Sequence, residues 1–153
     1  MRRTRPTGSV SLFRSPKAPH FPNFFHADVQ KWSDAGTIQG CDWSGIVVKV
    51  GKDVTTPAVG DHVAGFVQGG SDKDRGAFAE YIKTDADLCW KVPKGTISHE
   101  EAATLGVGYW TAVQVLFHPT RLGLVEPPNK TDKEEWVLVY GASGASIWLV
   151  LVW

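Results

Sequence analysis

GIVVKVGKDVTTPAVGDHVAGFV, residues 45–67, holds two short apolar runs with glycine at the bends. Gly45–Val50 reads as a strand and Gly51-Lys-Asp53 as the turn that closes it. Val59–Val67 reads as a turn followed by a second strand. Downstream, Gly69–Gly76 is a polar loop. Ala77–Ile82 alternates and predicts a third strand. Leu88–Val92 predicts a fourth, stopped by Pro93. Strands this short, at this spacing, imply a small barrel or sandwich.

Working toward the C-terminus, Ser98-His-Glu-Glu101 has the pattern of a capping box. The Ser98 hydroxyl can accept the Glu101 N–H, and the Glu101 carboxylate can reach back. Both glutamates suit the positive end of a helix dipole. Gly106 and Gly108 interrupt that helix, and a second is expected over Tyr109–Phe117, ending before Pro119. Pro127–Glu135 is a solvated connector. Trp136–Tyr140 predicts a closing strand, followed by the glycine-rich loop Gly141-Ala-Ser-Gly144-Ala-Ser146. In a dinucleotide site such a strand and loop open a helix. The first glycine allows the tight turn and the second lets backbone approach the pyrophosphate. The fingerprint asks for a small residue at the next glycine position, where this chain has Ile147. A plain Gly/Ser turn is the alternative reading.

Working toward the N-terminus, residues 1–26 are a separate segment. They carry Arg2, Arg3, Arg5, Arg14 and Lys17 with no acid, and Pro6, Pro16, Pro19 and Pro22 disfavour helix and strand. A disordered or non-native tail is one reading. A mitochondrial-type presequence, basic and acid-poor, is the other.

The 153 residues are 42% hydrophobic and 21% charged, ordinary for a globular chain. The formal net charge is zero, which argues against nucleic acid as partner. The longest apolar run, Ile147–Trp153, is far short of the roughly 20 residues that cross a bilayer, so no membrane partner is expected. Cys41 and Cys89 lie far apart and form no CxxC pair, which predicts free thiols in a reducing, cytoplasmic setting, with one disulfide between them as the alternative. Cys41, His62 and Cys89 lack the close ligand pairs of structural zinc sites, so buried thiols are expected instead. No GxSxG, HxxxH or HExxH pattern occurs. Asp61-His62 and Asp72–Arg75 read as solvated charged turns, and most of the seven tryptophans as core.

Taken in series, GCDWSGIVVKVG (40–51), VGDHVAGFV (59–67), DRGAFAEYI (74–82), WKVPKGTISHEEAATLGVG (90–108) and VLVYGAS (137–143) resemble the medium-chain dehydrogenase/reductase superfamily. Within it they resemble the fungal zinc-independent branch of quinone-oxidoreductase-like proteins and trans-acting enoyl reductases. The resemblance implies an α+β, mainly β fold. A partial GroES-like β-barrel domain over 27–118 would be followed, over 119–153, by a connector and the first strand and loop of an incomplete Rossmann domain. It implies NADP as cofactor and hydride transfer to an enoyl or quinone substrate. Zinc is not expected: Gly40-Cys41-Asp42 stands where zinc-dependent relatives carry Gly-His-Glu, and the loop 68–76 has no cysteine.

Residue by residue, the resemblance implies three sites. Asp28, with Gln30 or Lys31 in a lysine position, matches a cofactor-contacting segment whose Asn-Pro is missing here. Gly141, Ser143, Gly144, Ala145 and Ser146 match the nucleotide loop. Ala112, Val113, Gln114, Val115, Leu116 and Phe117 fall on the substrate-contacting segment. No catalytic residue is assigned. The family's earliest strands have no match, and past residue 146 the pattern gives way to IWLVLVW. The expectation is a chain cut from a longer reductase and impaired in activity. The rival expectation is a non-catalytic β module that self-associates or binds a partner through its exposed closing strand.

Overall fold

A computed structural model describes residues 11–14, 35–141 and 144 of the chain. The chain divides into two compact units, Met1–Gly106 and Val107–Trp153. The first is built on one sheet. Its strands are β1 (Ser11–Arg14), β2 (Asp42–Lys49), β3 (His62–Phe66), β4 (Tyr81–Thr84) and β5 (Cys89–Lys91), in the order β4-β1-β2-β3-β5. All four pairings are antiparallel. A helix, α1 (His99–Thr104), completes the unit.

Alternation along the strands sorts the side chains. Trp43 and Val47 of β2 and Val63 of β3 join Val67, Ala77 and Ile82 in one buried cluster. Ala64, the next residue along β3, belongs instead to a second cluster with Val92 and Ala102 of α1, flanked by Trp90 and Ile97. β3 is therefore buried on both sides. Gly65 pairs with Trp43 across the ladder. A side chain at Gly65 would meet the Leu88 carbonyl oxygen at 3.0 Å and Trp43 Cζ2 at 3.2 Å, so the glycine makes room for the indole. The capping box forms as its pattern predicts. Glu101 N donates to Ser98 Oγ at 3.2 Å, and Ser98 N donates to Glu101 Oε2 at 2.8 Å.

Four expectations change here. Residues 11–14 lie inside the segment whose prolines disfavour a strand, yet they form β1, between β2 and β4. The run Ser11-Leu-Phe-Arg14 carries no proline of its own, and two neighbouring strands supply its hydrogen bonds. The third predicted strand begins at Tyr81 rather than Ala77. Ala77 N and Phe78 N donate instead to the Gly40 and Gln39 carbonyls, at 2.9 Å each. Cys41 is an exposed free thiol, not a buried one, while Cys89 is half-buried with its thiol donating to the Ala86 carbonyl at 3.1 Å. Of the described tryptophans only Trp43 is core; Trp110 and Trp136 are exposed.

The second unit contains α2 (Val107–Phe117) and a return segment that folds back on its end. His118 N, Leu122 N and Leu124 N donate to the carbonyls of Gln114, Val115 and Leu116. The helix C-terminus is thus closed by its own continuation. The predicted closing strand, Trp136–Tyr140, is not in a strand. A strand needs a neighbour for its N–H and C=O groups, and no described residue pairs with it. Trp136, Leu138 and Tyr140 are 88%, 94% and 92% exposed. No helix among the described residues is long and apolar enough to cross a membrane.

Candidate active-site wall

Three segments of the first unit cross at backbone contact. Residues 37–41 run between 67–70 and 76–78. Val67 N donates to the Cys41 carbonyl at 2.9 Å and Gly70 N to the Ile38 carbonyl at 2.8 Å. Glycine is required at each crossing. A Cβ at Gly69 would strike the Gly40 backbone, and one at Gly76 the Ile38 carbonyl. Gly40 has φ +89° and lies under the Phe78 ring, which a Cβ would approach within 2.5 Å. The crossing presents Cys41, Asp42 and the Phe78 ring at the surface.

The Asp42 carboxylate packs against Gly106, whose missing side chain leaves it that space. No three His, Cys, Asp or Glu side chains among the described residues are grouped to hold a metal ion. The neighbouring loop behaves as a solvated charged turn. Arg75 pairs with Asp72 at 3.8 Å and Lys83 with Asp74 at 3.0 Å. Lys83 holds the Asp74 carboxyl below its ordinary range. Exposed pairs of this kind contribute little to stability.

The six substrate-segment candidates all lie on α2. Ala112 and Leu116 are buried, Val113 and Phe117 half-buried, and Gln114 and Val115 exposed. The carbonyls of Gln114, Val115 and Leu116 are occupied by the return segment. Within the second unit, Phe117, Leu124 and Val137 line an open pocket of about 380 Å³ with Asn129, Lys130 and Glu135 among its polar residues. Phe117 alone of the six reaches that pocket.

Of the eight cofactor candidates, Gly141 and Gly144 are described; Asp28, Gln30, Lys31, Ser143, Ala145 and Ser146 lie outside the described residues, as does Ile147. Gly144 N donates to the Gly141 carbonyl at 3.0 Å, which closes a tight turn. Gly141 has φ +78°, so its lack of a side chain is conformational. Gly144 has no such constraint: a Cβ there would meet only the Gly141 oxygen, at 3.5 Å. Among the described residues, nothing else lies against its face. Its N–H, however, is already used in the turn, so a phosphate would draw its donors from residues beyond it.

Sequence reading missed one cluster. Asp61-His62 reads as a solvated turn, but both residues are half-buried, Asp61 with its carboxylate on Lys91 Nζ at 2.8 Å and accepting Ala58 N at 2.9 Å. His62 is the first residue of β3. Its Nε2 lies 2.8 Å from Ser44 Oγ, and His99 Nδ1 lies 3.0 Å from the same oxygen. Ser44 and His62 are diagonal neighbours across the β2–β3 register. Alternation alone puts both on the face opposite Trp43. The helical residue His99, 55 positions beyond Ser44, gives no sequence signal.

Residues 21–94 match the alcohol dehydrogenase GroES-like domain. The chain is 46% identical, over 116 residues, to the trans-enoyl reductase ACTTS2 of Alternaria alternata, an alignment covering 72% of this chain and 32% of that protein. It spans about a third of the length of the curated relatives it matches first. Among solved structures, a quinone oxidoreductase of Pseudomonas syringae pv. Tomato aligns with TM-score 0.56 and 25% identity, over 79% of this chain and 36% of that one. A mycobacterial protein solved in complex with NADPH aligns over 98% of this chain and 43% of its own, with TM-score 0.64 and 23% identity. The latter likeness is one of fold.

Proposed function

Since the chain belongs to the medium-chain dehydrogenase/reductase superfamily and carries its GroES-like domain, we propose that it supplies one wall of an NADPH-dependent, zinc-free enoyl reductase. The observation that carries the reading is its likeness to a trans-enoyl reductase across most of this chain. The quinone reductase likeness is weaker in sequence, so a carbon–carbon double bond conjugated to a carbonyl is the preferred substrate class, with a quinone second.

When bound, NADPH supplies the hydride. The loop that opens with the Gly141–Gly144 turn would hold it, and the open face of Gly144 fits a close approach of backbone to pyrophosphate. The zinc-free reading rests on donor chemistry. Cys41 and Asp42 replace a His-Glu pair, and His62 is engaged with Ser44. The exposed free thiol of Cys41 suits a reducing, cytoplasmic setting.

The test is an NADPH titration of the whole chain, read by energy transfer from tryptophan to the nicotinamide, on a sample shown by circular dichroism to be folded. Saturation is expected at micromolar to sub-millimolar concentration, about the range in which enzymes meet their substrates. Gly144→Ala is expected to leave the fold intact, since its Cβ makes only ordinary contact, while weakening NADPH about tenfold or more. A folded chain that shows no saturable binding rules out these residues as a cofactor site. By themselves these 153 residues are expected to turn over little substrate. Fixed orientation supplies on the order of 7–11 kcal/mol of a barrier, and a chain spanning about a third of its relatives' length is proposed to supply only one side of the cleft.

A second reading has its own observation. Residues 136–140 leave Trp136, Leu138 and Tyr140 open to solvent in a stretch that no described residue pairs with. Such a stretch can pair with a second copy of the chain. Sedimentation is expected to show concentration-dependent association that disappears when residues 136–153 are deleted. A strictly monomeric parent chain would dismiss this reading.

A further inference from the structure

We propose that Ser44, His62 and His99 form an acid-sensitive clasp that fastens the N-terminus of α1 to strands β2 and β3. Ser44 is buried, and its hydroxyl is the common partner of the two imidazoles, at 2.8 and 3.0 Å, with the Val63 carbonyl at 3.3 Å. The two rings lie 3.8 Å apart between centroids, tilted by 49°. One residue comes from each of three elements, β2, β3 and α1, so the contact ties together parts of the unit that are distant in sequence.

Proton counting shows that the hydrogen bonds of the clasp do not themselves limit its protonation. A serine hydroxyl has one proton and two lone pairs. With both rings neutral, it donates to one ring and accepts from the other, or accepts from both and donates to Val63. With one ring charged, the same hydrogen bonds survive. With both charged, every hydrogen bond can still form, because both rings donate to Oγ and Oγ donates to Val63. What changes is charge: two imidazolium rings then sit almost in contact, one of them partly removed from water. The limit on protonation is therefore electrostatic, not a shortage of hydrogen bonds.

The surroundings do not offset that repulsion at His62. On β2 its facing group is the neutral Ser44, and its ladder partner is Ile46. On its own strand Asp61 is adjacent, but that carboxylate is engaged with Lys91 of β5 and Ala58 N, and Lys94 acts on it too. From α1 comes His99. Glu100 interacts with His99 rather than with His62, and Glu101 is bound to Ser98 N. Burial, then the His99 charge, hold the His62 imidazole below its ordinary value of 6.5. The sign follows. The unfolded chain takes up this proton near pH 6.5, and the folded chain takes it up only at lower pH. Stability from the clasp is full above pH 6.5 and is lost as pH falls through the His62 midpoint. Each unit by which that midpoint is depressed lowers the folding equilibrium constant about tenfold at acid pH.

The experiment has two arms on the full chain. In the first, the histidine ring resonances of the wild type are titrated by NMR while amide exchange is followed at Glu100–Ala103. The expected result is one ring with a midpoint below 6.5 and faster exchange in α1 over the same pH window. In the second, urea unfolding is measured from pH 8 to pH 5 for the wild type and for His99→Asn. Asparagine keeps a polar group near Ser44 Oγ but carries no charge. The variant is expected to lose much less stability on acidification, and its His62 midpoint to rise toward the ordinary value. If His62 titrates at its ordinary value in the wild type, the proposal is wrong. Superimposable pH profiles for wild type and variant would overturn it equally. Should His99→Asn fail to fold, the wild-type titration and exchange data decide alone.

Discussion

Trp43→Ala is expected to destabilise the first unit by about 3–5 kcal/mol, the range found when a large aromatic is deleted from a packed core. Trp43 is 1% exposed and is the largest of the fully buried side chains. Val47, Val63, Val67, Ala77 and Ile82 close around it. These come from β2, β3, β4 and the loops beside them, so the indole is the packing partner they share. The void cannot readily collapse. Val63 is fixed between β2 and β5, and Gly65 opposite has no side chain to move in. Domains have only about 5–15 kcal/mol to lose, so urea unfolding is expected to show a midpoint shifted far down, or no folded baseline. Trp43→Phe retains a ring in the same site and is expected to lose clearly less. Trp136→Ala, at an 88% exposed position, is expected to stay within about 0.5 kcal/mol of the parent. A Trp43→Ala chain as stable as Trp136→Ala would mean that the indole is not what holds the sheet to its loops.

The contrast between these two tryptophans shows what the sequence can and cannot convey. β2 and β3 are legible because apolar alternation and glycine bends are local signals, and the capping box at Ser98 is legible for the same reason. β1 is not. Four residues between prolines have no strand signal of their own, and they become a strand because β2 and β4 flank them. Trp136–Tyr140 fails in the opposite sense: its pattern is that of a strand, but pairing is a property of two segments, and no described residue provides the second. The Ile38–Cys41 crossing turns the beginning of the third predicted strand into a loop, again by long-range hydrogen bonds.

Site residues follow the same division. Gly141 and Gly144 were legible as a turn because a glycine pair after an apolar run is a local pattern, and the turn is closed by a bond between those two residues. The six residues of the substrate segment were placed by resemblance, and resemblance does not say which of them a helix buries. Ala112 and Leu116, four apart, fall on the inner stripe of α2. The Ser44–His62–His99 cluster needed both the sheet register and the docking of α1. No spacing rule contains those two facts.

Gly76→Ala is the second large effect, and its cause is steric rather than conformational. Gly76 has no positive φ, so alanine suits its backbone. The difficulty is the neighbour: a Cβ would run into the Ile38 carbonyl, with Ile38 Cγ2 at 2.7 Å behind it. That carbonyl cannot simply move aside, because it accepts Gly70 N at 2.8 Å. The adjacent bonds from Ala77 N to Gly40 and from Phe78 N to Gln39 fix the same segment from the other side. Overpacking of this kind costs about 1–3 kcal/mol, and each backbone hydrogen bond broken in relief adds about 1 kcal/mol. A total loss of about 2–4 kcal/mol is expected, with amide shifts concentrated at Ile38–Asp42, the segment that carries Cys41. Gly60 provides the opposite case. It has φ +89° and open space around its Cα, so its constraint is conformational alone. Asparagine tolerates positive φ better than alanine, so Gly60→Asn is expected to recover much of what Gly60→Ala loses. At Gly76 the order reverses, because a longer side chain meets the same carbonyl, and Gly76→Asn is expected to be no better than Gly76→Ala. Recovery by asparagine at Gly76 would show that the crossing of 37–41 and 76–78 is looser than backbone contact, and that the surface bearing Cys41 and Asp42 is not rigidly built.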